Sequence, residues 1–156
     1  MDIKIEKKKA FKVAGIKSDV TKSSNFPKVW DKLVEKVPRE KFQDFGSGQI
    51  FGVGYDYLMD EEDSFIYLAG FDLIDEVKAK ELELDTLSIP EKEYAILSLK
   101  GPIPECIHEG WKYIISYFFP KEGYRHDESP DFEVYGNGDP NSEEYQMELW
   151  VPIIKE

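Results

Sequence analysis

The apolar residues of this chain recur with two periods, and the switches between them predict an order of elements. The clearest alternation is Glu144–Pro152, where Tyr145, Met147, Leu149 and Val151 share one face of a strand and Gln146, Glu148 and Trp150 share the other. The same two-residue period predicts strands over residues 3–17 (bent near Lys7–Lys9), 49–57, 64–71, 83–90, 93–100 and 131–136. Two stretches carry the helical period instead. Phe26, Val29, Trp30, Leu33 and Val37 form a stripe over 26–37, with Asn25 as N-cap, Pro27 in the first turn and Pro38 as the stop, so Trp30 is expected in the core. Ile107, Trp111, Ile114, Ile115 and Phe118 form a second stripe over 104–118, with Pro120 expected just past its end and Gly110 permitting close packing. Asp60–Asp63 reads as a solvated turn between two strands, and the residues after Asp72 as a charged connection.

Each half therefore reads strand, helix, strand, strand. Two such units imply an α+β fold with pseudo-twofold symmetry, an antiparallel sheet with two main helices, and a binding cleft where the halves meet. The expectation is a single domain over residues 1–156, with halves of about 1–75 and 76–156.

Composition narrows the class. The net charge of −12 is uneven: residues 1–41 hold twelve Lys/Arg against six Asp/Glu, and residues 42–156 hold eight against twenty-six. A phosphate backbone would be repelled over most of such a surface, so direct DNA binding is not expected. No apolar run reaches the roughly 18 residues of a membrane span, and the lysine-rich start lacks the apolar core of a secretory leader. With one cysteine, Cys106, an intramolecular disulfide is excluded; the expected compartment is cytoplasmic. Residues 46–57 resemble a phosphate loop only superficially, because the glycines miss the G-x-G-x-x-G spacing and no Lys-Ser/Thr pair follows; they read as a glycine-bearing strand. No cofactor motif is present. Two histidines and one cysteine without ligand spacing give no metal site, and Cys106 and His108, two apart on a helix, do not face each other.

The one anomalous surface is the polar face of the last strand. A tryptophan beside a carboxylate, Trp150 with Glu148, suits a concave site for apolar or cationic aromatic molecules; it equally suits an edge strand with a solvated acid and a half-buried ring.

Phe11–Ile16, Ile50–Tyr57, Tyr67–Gly70, Ile89–Ala95, Lys100–Pro102, Gly110–Tyr113, Ser129–Tyr135 and Met147–Pro152, in that order over nearly the whole chain, resemble the GyrI-like small-molecule-binding family. That family includes effector-binding domains of multidrug-responsive transcription regulators and stand-alone relatives. The resemblance implies a duplicated fold with an aromatic-lined cleft. Glu148 matches the cleft acid of the family's last-strand motif, Trp111 its helix tryptophan, and Tyr55 and Tyr67 lie on matching strands. The ligand-binding set implied is Glu148, Trp111, Tyr55 and Tyr67, with Trp150 added from the strand pattern. Some members hydrolyse cyclopropane-containing genotoxins; an enzyme of that kind would use Glu148 and Tyr67 here. No DNA-reading segment accompanies the match, so regulation would need a separate protein partner. The leading expectation is a binding protein for hydrophobic, aromatic or cationic small molecules. The alternatives are a hydrolase of strained electrophiles and an acidic module that inhibits a topoisomerase.

Overall fold

The computed structural model describes residues 1–156. Nine strands and their helices follow the order β1 (Ile3–Lys8), β2 (Phe11–Val20), α1 (Phe26–Lys36), a 3₁₀ turn at Arg39–Asp44, β3 (Ile50–Tyr55), β4 (Phe65–Asp72), α2 (Glu76–Glu81), β5 (Asp85–Ile89), β6 (Lys92–Lys100), α3 (Glu105–Tyr113), β7 (Tyr124–His126), β8 (Asp131–Tyr135) and β9 (Gln146–Lys155). The main sheet runs β1-β6-β9-β8-β3-β4-β2-β5, all antiparallel, and β7 extends the end of β9. This order is its own mirror about the β3–β8 junction. From the axis outward the strands run β3, β4, β2 and β5 on one side and β8, β9, β6 and β1 on the other. The halves also exchange strands, since β1 pairs with β6 of the second half and β5 with β2 of the first.

That exchange corrects one expectation. Residues 3–17 are two strands on opposite flanks, separated at Lys9–Ala10, rather than one bent strand. The three steps from Lys8 to Phe11 cover at most about 11 Å of extended chain, so the flanks must come close and the sheet must curl. Strands β2 and β9 are four positions apart, about 19 Å in a flat sheet, yet the rings of Phe11 and Trp150 lie 6.4 Å apart. The concave face so formed encloses its own core, with Phe51, Val53, Leu68, Tyr94, Ile96 and Phe132 buried.

Both main helices lie on the convex face. Val29 and Leu33 of α1 pack over β2 and β4, joined by Phe42, Phe45 and Phe71. Cys106, Ile107 and the following Ile114 and Phe118 pack over β6 and β9. A Cβ on Gly110 would stand 2.8 Å from Leu99 Cδ2, so glycine sets the closeness of α3 to the sheet. Pro120 does not end this helix. A π-helical turn at Ile114–Phe118 takes up the misfit of the missing N–H and carries the helix on to Glu122. The charged connection after Asp72 contains α2, capped by Asp75, whose side chain accepts from Lys78 N–H at 3.1 Å. No helix is long and apolar enough to cross a membrane.

Candidate functional site

Helices resting on the outer strands of a convex sheet diverge above its middle. Between α1 and α3, over β3 and β8, lies a cavity of about 1240 Å³. Phe26 and Trp30 of α1 form one wall, Ile107, His108 and Trp111 of α3 the other, and Tyr67, Asp131, Glu133 and Tyr135 the floor.

The floor follows from strand parity. On β8, Phe132 and Val134 point into the concave core, which sends Asp131, Glu133 and Tyr135 to the cavity side. Opposite them on β3, Gly52 pairs with Glu133 and Gly54 with Asp131. A Cβ on Gly52 would collide with Tyr67 Oη and Glu133 Oε1, and one on Gly54 with Tyr57 Oη. One central strand thus supplies two acids, and its partner supplies the space their hydrogen bonds occupy.

Glu133 accepts from Tyr67 Oη at 2.7 Å and from Tyr135 Oη at 2.6 Å. Both bonds fall on Oε1, and Oε2 has no protein donor. Tyr67 in turn accepts from Trp30 Nε1 at 3.2 Å, and its ring meets Phe26 edge-on at 4.9 Å. Asp131 is only 5% exposed and accepts from Tyr57 Oη at 2.8 Å and from His126 Nε2 at 3.0 Å, both on Oδ2. The amide of Glu128 donates to His126 Nδ1 at 2.9 Å. With Nδ1 accepting from that amide, Nε2 is the ring nitrogen that donates to Asp131. Trp111 lies nearly parallel to that ring at 6.4 Å.

Desolvation pushes the Glu133 carboxyl above its usual range, against the lowering pull of the Tyr135 and Tyr67 bonds. Desolvation raises Asp131 likewise, opposed by His126 and Tyr57. Burial together with the adjacent carboxylates lifts the phenols of Tyr57, Tyr67 and Tyr135, which keeps them protonated as donors. The one lysine on the cavity rim, Lys22, is paired with Asp63 at 2.9 Å. The cavity is an aromatic chamber with two buried carboxyl groups, neither of which has a lysine or arginine partner.

Of the residues expected from sequence, the structure brings Tyr67 and Trp111 together here. Trp30, expected in the core, also lines the chamber. Tyr55, Glu148 and Trp150 do not. Gly54 stands opposite Tyr67, so the next residue, Tyr55, turns to the concave core. Glu148 pairs with Val134 and Trp150 with Phe132, which places both on the concave face. Glu148 borders a separate depression of about 550 Å³ and accepts from Trp150 Nε1 at 2.9 Å. The acids on the chamber floor are Asp131 and Glu133, which the sequence reading places in a short strand without assigning them to a site. Their signal was the alternation Asp131, Glu133, Tyr135 against Phe132 and Val134, beside a strand carrying Gly52 and Gly54. Cys106 is buried, its thiol raised by desolvation, and it makes no pair with His108.

A family profile for the GyrI-like small molecule binding domain matches residues 1–154. Comparison with curated protein sequences returns no match. Among solved structures, SAV2435 bound to tetraphenylphosphonium is similar with a TM-score of 0.81 and 17% identity, over 99% of this chain and 94% of that one. The EcmrR C-terminal domain aligns with a TM-score of 0.69 and 15% identity over 99% and 98% of the two chains. A hydrolase encoded by lin2189 from Listeria innocua aligns with a TM-score of 0.58 and 16% identity over 97% and 91%. At such identities the structural likeness speaks for the fold alone.

Proposed function

This chain belongs to the GyrI-like small-molecule-binding family, and from that premise we propose that it binds a lipophilic aromatic cation between α1 and α3, with Glu133 as counter-charge. The observation that carries the reading is the Glu133 carboxylate itself. It is anchored by two phenols through one oxygen and has no lysine or arginine partner in the aromatic chamber it faces. Burying an uncompensated carboxylate is costly, and a cation entering the chamber removes that cost. The aromatic walls add stacking and cation–π attraction, each about 0.5–2 kcal/mol. SAV2435, a fold neighbour, is described bound to tetraphenylphosphonium, a cation of this chemical kind.

Titration of the purified protein with tetraphenylphosphonium tests the reading. Glu133→Gln keeps an acceptor for both tyrosines but removes the charge, and should weaken the cation by about tenfold or more, roughly 1.4 kcal/mol, while a neutral aromatic of similar size binds as before. Glu148→Gln, on the other face, serves as the matched control with unchanged affinity. Equal loss for charged and neutral ligands, or no saturable binding by the unaltered protein, would sink the proposal.

A second reading rests on the unpartnered Oε2. A carboxylate with a raised pKa beside protonated phenols is equipped to accept a proton from water, which suits hydrolysis of a strained electrophile with Glu133 as base, held in place by Tyr67 and Tyr135. Product formation that Glu133→Gln abolishes while ligand still binds would favour this reading over binding alone.

A further inference from the structure

We propose that the chamber is built for a compact aromatic dication, one positive group on Glu133 and the other on Asp131, rather than for a monocation. The inference rests on the cation-binding reading above and goes beyond it in assigning a second charge subsite and the spacing of the two.

Asp131 and Glu133 are two residues apart on β8, side by side on the face that floors the chamber. One strand repeat separates their Cα atoms by about 6.5–7 Å. The donors to these two side chains are three phenols and one imidazole. Tyr67 and Tyr135 serve Glu133; Tyr57 and His126 Nε2 serve Asp131. Neither acid has a Lys or Arg partner, and the rim lysine Lys22 is engaged by Asp63. Further acids, Asp56 and Glu128, border the chamber without reversing its sign.

A monocation seated on Glu133 leaves Asp131 uncompensated. A dication whose charges match the strand repeat answers both. Each carboxyl is raised by burial, and Asp131 raises Glu133 further, as two like groups sharing one chamber should. The volume of about 1240 Å³ leaves room for both ends of such a molecule. The Trp111 face, near His126 and Asp131, gives the second end an aromatic wall matching that of Trp30 at the first.

The test compares matched pairs by calorimetric titration: benzene-1,4-dicarboxamidine against benzamidine, and biphenyl-4,4′-dicarboxamidine against biphenyl-4-carboxamidine, with tetraphenylphosphonium as reference. In the single-ring pair the dication should bind about tenfold or more tighter, an increment of about 1.4 kcal/mol. The biphenyl pair, whose charges lie too far apart for one strand repeat, should show only the statistical advantage of two equivalent ends. Asp131→Asn, its folding checked by thermal melting, should bring the single-ring ratio down to that statistical value with a smaller loss for benzamidine. The ratios between pairs need no variant and hold even where Asp131→Asn fails to fold. Tetraphenylphosphonium binding without a dication advantage, or an advantage equal in both pairs or kept in Asp131→Asn, overturns this inference alone. Absence of binding by tetraphenylphosphonium and by every amidine overturns the cation reading beneath it.

Discussion

Gly52→Ala puts the link between fold and site under direct strain. Gly52 is buried on β3, and a methyl there would collide with Tyr67 Oη and Glu133 Oε1, the two atoms of the central hydrogen bond. The Tyr67 ring is 3% exposed and wedged by Phe26 and Trp30. It has little room to retreat, so Glu133 must swing toward the chamber. Overpacking of this kind costs about 1–3 kcal/mol, and the lost charge-assisted bond adds about 1.5–3 kcal/mol, partly offset as Glu133 gains water. A net destabilisation of about 2–4 kcal/mol lowers the melting temperature of a domain this size by about 4–16 °C. Circular dichroism melts and urea titration measure the loss. Tetraphenylphosphonium titration should show about tenfold weaker binding, because the carboxylate is no longer aimed by its two phenols. Adding Tyr67→Phe removes the hydroxyl nearest the new methyl, so the double variant should cost less than the sum of the two single ones. A Gly52→Ala protein within about 0.5 kcal/mol of the unaltered one, with unchanged affinity, would refute the argument that glycine here makes room for the Tyr67–Glu133 bond.

The remaining expectations follow from the same geometry. Because burial raises Glu133 and Asp131 above their ordinary values, the empty folded protein holds more protons than the unfolded chain in the window above those values. Its stability should therefore fall as pH rises through that window, while cation affinity rises; melting and titration at several pH values should show both slopes flattened in Glu133→Gln. Trp30 and Trp111 line the chamber and Trp150 does not, so a quenching aromatic cation should lose part of its signal in Trp30→Phe and in Trp111→Phe but not in Trp150→Phe. Cys106 is 4% exposed, its thiol raised by desolvation. It should react slowly with a disulfide reagent in the native protein and rapidly in denaturant; fast native labelling would contradict its burial.

The sequence by itself determined most of the elements, their order and the duplication, but not the division of residues 3–17 into two strands, the helix α2 or the short strand β7. What it determined is written in local periods: the alternation of Met147, Leu149 and Val151, the helical stripes through Leu33 and Ile114, and the repeated strand-helix-strand-strand order. The order of recognisable segments likewise placed the chain in its family. Parity within a strand was legible too, since Glu148 and Trp150 were correctly separated from Met147 and Leu149. What parity cannot say is which side of a curled sheet each set faces, because that depends on strands paired far apart in sequence. Only the exchange of β1 and β5 between halves, and the curl it imposes, decided that the Glu148 and Trp150 face closes on the concave core. The alternating Asp131, Glu133 and Tyr135, by contrast, show locally only the period of a short strand. They floor a chamber because α1 and α3 rest on the outer strands and diverge over the middle, and because Gly52 and Gly54 of the neighbouring strand leave room for the phenols that hold the two acids. A residue's neighbours along the chain set its periodicity; its dielectric surroundings, and hence its chemistry, are set by what packs above it.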